Sequence, residues 1–166
     1  MRRRALACVP AIALVAVACA PPDPGASVDA GGPDRASFPP VAQMLGRRCG
    51  TFDCHGSIYR NLRIYGHGGL RLDPKDRPDT PLESTPAEND ATYEAVVGLE
   101  PEKIHAVVAA HGAGVDDLTV VRKGRGEEGH KGKQLIVRND DADLCLVGWV
   151  SGTPNPDACA RASAAP

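Results

Sequence analysis

The stretch "PVAQMLGRRCGTFDCHGS", residues 40–57, decides how the rest of the chain is read. Its first half has a helical pattern. Pro40 suits a first helical turn, where its missing N–H would have no partner anyway. Val41, Met44 and Leu45 recur at i, i+3 and i+4, which places them on one apolar face. The second half carries Cys49 and Cys54 five positions apart, with His55 directly after the second thiol.

Three chemistries suit that cluster, and each makes its own demand. For covalent haem, two thiols add across the vinyl groups of the porphyrin, and the histidine after the second thiol then lies under the iron. The usual spacer has two residues. Here it is Gly50, Thr51, Phe52 and Asp53, so the loop must bulge away from the ring, and Gly50 helps it do so. A Cys49–Cys54 disulfide would leave His55 an ordinary side chain. Zinc would need Cys49, Cys54, His55 and a further histidine, and adjacent Cys54 and His55 make a tetrahedron awkward. The spacing alone leaves all three open.

Toward the N-terminus, Arg2, Arg3 and Arg4 precede an apolar run, residues 5–18, shorter than the ~20 residues a membrane helix needs. This reads as an export signal over residues 1–18. Residues 19–37 are rich in Pro, Gly, Ala and Asp and read as a flexible tether. One globular domain over residues 38–160 follows, then a disordered tail at 161–166. Removing the signal with its three arginines takes the formal charge from −2 to −5, which argues against nucleic-acid binding. Six cysteines are present. With Cys8 in the signal and Cys19 at its end, Cys49, Cys54, Cys145 and Cys159 remain to pair or ligate in an oxidising compartment.

Beyond residue 57 the sequence predicts an extended loop with a short hairpin at "GHGG" (66–69). A helix follows from a capping box at Thr85 and Glu88 with Pro86 at its first position. Another begins at Pro101, with Ile104, Val107, Val108 and His111 on one face. Residues 118–121 form a short apolar piece. The glycine-rich run after it, with Arg122, Lys123, Arg125, Lys131 and Lys133 among Glu127 and Glu128, reads as a solvated loop. A final helix runs from about Asp140 to Gly152, with Leu144, Cys145, Val147 and Trp149 inward. The turn after it returns the tail so that Cys145 can pair with Cys159. No Ser/His/Asp grouping or phosphate-binding glycine loop stands out, which points away from an enzyme.

The layout resembles a small c-type cytochrome domain. It is similar to the cytochrome c-like domains of exported lipoproteins from myxobacteria and planctomycetes. The likeness rests on Cys49, Cys54, His55 and Gly56, on His130 in "HKG", and on Trp149 and Gly152. The end of the signal, "AVAC", likewise resembles a bacterial lipobox, with Cys19 as the lipidated residue. The resemblance implies a mainly α, loop-rich, cytochrome c-like helical domain. It implies haem c on Cys49 and Cys54, with His55 as the proximal iron ligand. No methionine follows Cys54, so the distal ligand it implies is His130, in the loop before the final helix, with His111 and His67 as alternatives. It also implies an electron carrier held on a membrane by its N-terminal lipid, meeting a redox partner protein. Ala20 after the lipidated cysteine favours the outer membrane, facing the periplasm. The alternative is a haem-free structural or binding lipoprotein of the cell envelope with no cofactor, stapled by disulfides.

Overall fold

The computed structural model describes residues 31–76 and 83–164. The expected signal segment, with Cys8, and the expected lipidation site at Cys19 lie outside the described residues. The chain is mainly α. The helices are α1 (Pro39–Cys49), α2 (Pro86–Val97), α3 (Pro101–Ala109), α4 (Thr119–Gly124), α5 (Asp141–Val150) and α6 (Pro156–Ala164). Among the described residues the only β pairing is an isolated bridge between Tyr65 and Leu70, which closes the "GHGG" turn. No described helix is long and apolar enough to cross a membrane.

α1 forms as its pattern predicts, and Val41, Met44 and Leu45 are all buried. Phe38, just before it, fits among Tyr93 of α2 and Trp149 of α5, with ring centroids 5.4 and 4.7 Å away. This aromatic cluster joins the start of the domain to its last long helix. α2 begins with the expected capping box. The Thr85 side chain accepts from the Glu88 N–H, and Glu88 accepts from the Thr85 N–H. Glu88 also accepts from Arg71 Nε at 2.7 Å, so the same carboxylate ties the long loop to α2.

Several boundaries differ from the sequence expectation. Residues 31–37, counted with the tether, pack on the core. The Pro33 carbonyl accepts from the Tyr93 hydroxyl at 2.8 Å, and the Asp34 carbonyl accepts from Trp149 Nε1 at 2.9 Å. Residues 161–164, counted with a disordered tail, complete α6, where Ala162 is buried. Leu144 points outward, and Leu146 takes the inward place. α3 stops at Ala109, so His111 lies beyond it, exposed, with a positive φ of 51°. The short apolar piece at residues 118–121 leads into a helix, α4, which carries the start of the run expected as a solvated loop.

α6 is the helix that lies along α1, more than α5 does. Its inward residues are small (Ala158, Cys159 and Ala162), so three helices approach closely. The Asn155 side chain caps it by accepting from the Ala158 N–H, and Pro156 opens it. The Cys145–Cys159 disulfide joins α5 to α6. The loop it closes spans 14 residues, and a closure of that length is worth about 3 kcal/mol. The Cys145→Ala/Cys159→Ala variant is therefore expected to lose about that much in a urea unfolding curve. An unchanged midpoint would show that helix packing alone holds α6.

Candidate functional site

α1 delivers Cys49 to the edge of a cavity of about 410 Å³. Leu45, Leu62, Ile64, Val120 and Ile136 give it apolar walls, and among the described residues no carboxylate lines it. Beyond Gly50 the spacer turns back sharply. The Cys54 and Gly56 N–H groups both donate to the Thr51 carbonyl, and the His55 N–H donates to the Cys49 carbonyl at 2.8 Å. Thr51, Phe52 and Asp53 are thereby pushed out into solvent. The four-residue spacer bulges outward, and its two ends are joined by the His55 N–H to the Cys49 carbonyl.

Cys49 and Cys54 are both free thiols, Cys49 buried and Cys54 half-buried. Burial pushes the Cys49 thiol up to about 12, and the nearby Cys54 adds to the shift. The sign of the stability effect follows. The folded chain keeps a proton that the unfolded chain releases at its ordinary thiol value, so stability is full below about pH 9 and falls as pH rises toward 12. Protein carrying free thiols is expected to lose about 4 kcal/mol across that window through Cys49. Cys49→Ala should flatten this part of the slope in denaturation curves taken from pH 8 upward. An equal slope in the variant would place the titrating group elsewhere.

His55 is fixed on both sides by the segment after it. Its Nδ1 lies 3.1 Å from the Leu62 carbonyl, and its own carbonyl accepts from the Ile64 N–H at 2.9 Å. His130 sits in the loop between α4 and α5. That loop is tied down where the Leu135 and Ile136 N–H groups both donate to the Gly124 carbonyl. The Nδ1 of His130 lies 3.1 Å from the Lys133 carbonyl. A carbonyl only accepts, so each Nδ1 carries a proton, which makes Nε2 the nitrogen with a lone pair in the neutral form of either ring. Burial lowers the pKa of His55 against the opposing pull of the Leu62 carbonyl, with a further push from His130 and Arg60, which favours the neutral imidazole.

The two imidazoles meet. Their planes are 16° from parallel and their centroids 5.9 Å apart. That separation lies within the range of offset aromatic pairs, about 4.5–7 Å. His55 and His130 also line a second hollow of about 260 Å³, with Asp53, Cys54, Arg60 and Lys131. The pair thus stands where the two spaces adjoin. His67 lines a different hollow beside Arg47 and Glu83, and exposed His111 lines neither space. Of the three histidines weighed as distal ligand, His130 is the one brought to His55.

Among the described residues no group of three or more His, Cys, Asp or Glu is placed to hold a metal ion. Arg60 is a site residue that sequence reasoning missed, because "RNLR" reads as an ordinary polar loop. No family model matches the chain, and neither curated proteins nor solved structures gave a match.

Proposed function

We propose that the chain is a c-type cytochrome-like electron carrier of the cell envelope. Cys49 and Cys54 would hold haem c through thioether bonds, and His55 and His130 would bind its iron through their Nε2 atoms. The observation that carries this reading is the near-parallel His55–His130 pair, drawn from two distant loops and placed over an apolar cavity beside two unpaired thiols. Haem bound there would supply one-electron exchange between ferric and ferrous iron. The chain supplies the rest. Leu45, Leu62, Ile64 and Ile136 exclude water, and the Leu62 and Lys133 carbonyls hold each imidazole in its ligating tautomer. Ligation by two histidines lacks the upward pull that methionine exerts on the potential, so the carrier belongs to the low-potential range.

The anchoring belongs to the same proposal and is supported by the sequence alone. A lipid on Cys19 would hold the domain at the outer membrane, facing the periplasm, where it would meet a redox partner protein.

The test is a visible spectrum of the full chain matured in a periplasm that contains haem-attachment machinery. A low-spin spectrum is expected for the native chain. His130→Ala is expected to convert it to a high-spin form, because one axial donor is lost while both thiols and His55 remain. A low-spin spectrum unchanged in His130→Ala would remove His130 from the site. A colourless chain would leave the haem-free, disulfide-stapled lipoprotein as the better reading.

A further inference from the structure

Arg60, half-buried, is placed unlike the two buried arginines. Arg71 and Arg125 each face a buried carboxylate, Glu88 and Asp143 respectively. Arg60 instead spends its guanidinium on two neutral carbonyls. Nε donates to the Cys54 carbonyl and Nη2 to the Asp53 carbonyl, both at 2.9 Å. These are the two peptide units just before His55. No described carboxylate forms an ion pair with Arg60, and its side chain lines both spaces that adjoin the His55–His130 pair. A fork of two parallel donors fixes the direction of a loop in a way a single point charge does not. A half-buried charge with no counter-ion is also poorly screened.

We propose that Arg60 is the positioning residue of the attachment loop, and that its uncompensated charge raises the reduction potential of iron held between His55 and His130. This rests on the haem-binding reading above. A fixed positive charge beside the iron disfavours the ferric state relative to the ferrous one. It therefore offsets part of the low potential set by two histidine ligands. The guanidinium also holds the Asp53 and Cys54 carbonyls so that the Cys54 thiol and the His55 ring present themselves together.

Three forms of the full chain, matured with haem-attachment machinery, separate the two roles: native, Arg60→Lys and Arg60→Gln. The readouts are the fraction carrying covalent haem, by intact mass, and the midpoint potential, by spectroelectrochemistry. Arg60→Gln is expected to raise the ferric-to-ferrous ratio at fixed ambient potential by about three- to tenfold, tenfold being 59 mV for one electron. It should keep a low-spin spectrum. Arg60→Lys keeps the charge and loses the fork, so its ratio should stay within about twofold of native. Both variants should carry covalent haem on less than half the fraction of chains that the native protein loads. Native-like loading in Arg60→Lys overturns the positioning role, and a potential in loaded Arg60→Gln within twofold of native overturns the electrostatic one. If Arg60→Gln does not fold, Arg60→Lys must show reduced loading at an unchanged potential, and any other result overturns the proposal. A colourless native chain is the failure of the haem reading itself. In that chain faster amide exchange at Cys54 and Gly56 in Arg60→Lys would still support the positioning role, and unchanged exchange would overturn it.

Discussion

Gly56→Ala is expected to destabilise the domain by about 3 kcal/mol and to abolish haem loading. A Cβ on Gly56 would stand 1.9 Å from the Gly50 carbonyl oxygen and 2.8 Å from the Gly69 Cα. Both neighbours are backbone, so no side chain can rotate out of the way. A Cβ on Gly69 would meet the same oxygen at 1.8 Å. Three backbone segments therefore touch at one point: the end of α1, the "CHG" turn and the "GHGG" turn. Forcing them apart moves Cys49 and His55 relative to each other, which ties the stability loss to the site. Gly68→Ala is the control. Nothing lies within 4 Å of its Cβ position, and the cost is confined to its positive φ of 80°, roughly 1–2 kcal/mol. Urea unfolding of both variants, with haem content by absorbance, checks the expectation. Equal losses in the two would mean that the glycines serve only their backbone angles.

Asp143→Ala is expected to cost about 3 kcal/mol, because it removes the buried partner of the Arg125 guanidinium and leaves it only the exposed Asp116. Asp143 accepts from Arg125 Nε at 2.7 Å and Nη2 at 2.9 Å, and from the Asn139 N–H at 2.8 Å. Burial opposes the charge on Arg125, but its hydrogen bonds to Asp143 and Asp116 outweigh that and raise its pKa. Arg138 extends the network by bonding Asp116 and Glu127. The network brackets the loop that carries His130. Its loss should therefore loosen His130 as well as the core, and on the proposed haem reading give a partly high-spin spectrum in any loaded protein. Replacing both partners together, as Arg125→Met/Asp143→Leu, should recover much of the stability, since a buried pair exchanged for apolar groups leaves no stranded charge. A double variant as unstable as the single one would contradict this account.

The helical class, α1, the capping box and the Cys145–Cys159 pairing were legible because each depends on residues close in sequence or on a simple count. α1 shows its apolar face within five residues, and Thr85 with Glu88 carries its own mechanism. The ordered start at 31–37 was not legible. Its anchors are the Pro33 and Asp34 carbonyls, and backbone acceptors look the same whatever the side chain. α6 had a readable start in Asn155–Pro156–Asp157, but its alanine-rich face looks unfit for a core until a close-packed neighbour is known. Arg125 was grouped with solvated charges because its partner, Asp143, lies at the start of another helix. The meeting of His55 and His130 is also tertiary. The sequence marked both residues, while their approach depends on the Gly124 carbonyl and the Leu62–Ile64 segment holding the two loops in place.

Intact mass of the full chain, matured under haem-loading conditions and denatured before measurement, tests the central claim most directly. The account predicts a chain heavier by one covalently bound haem, with neither Cys49 nor Cys54 open to a thiol reagent. A chain without haem in which Cys49 and Cys54 are bonded to each other would contradict it.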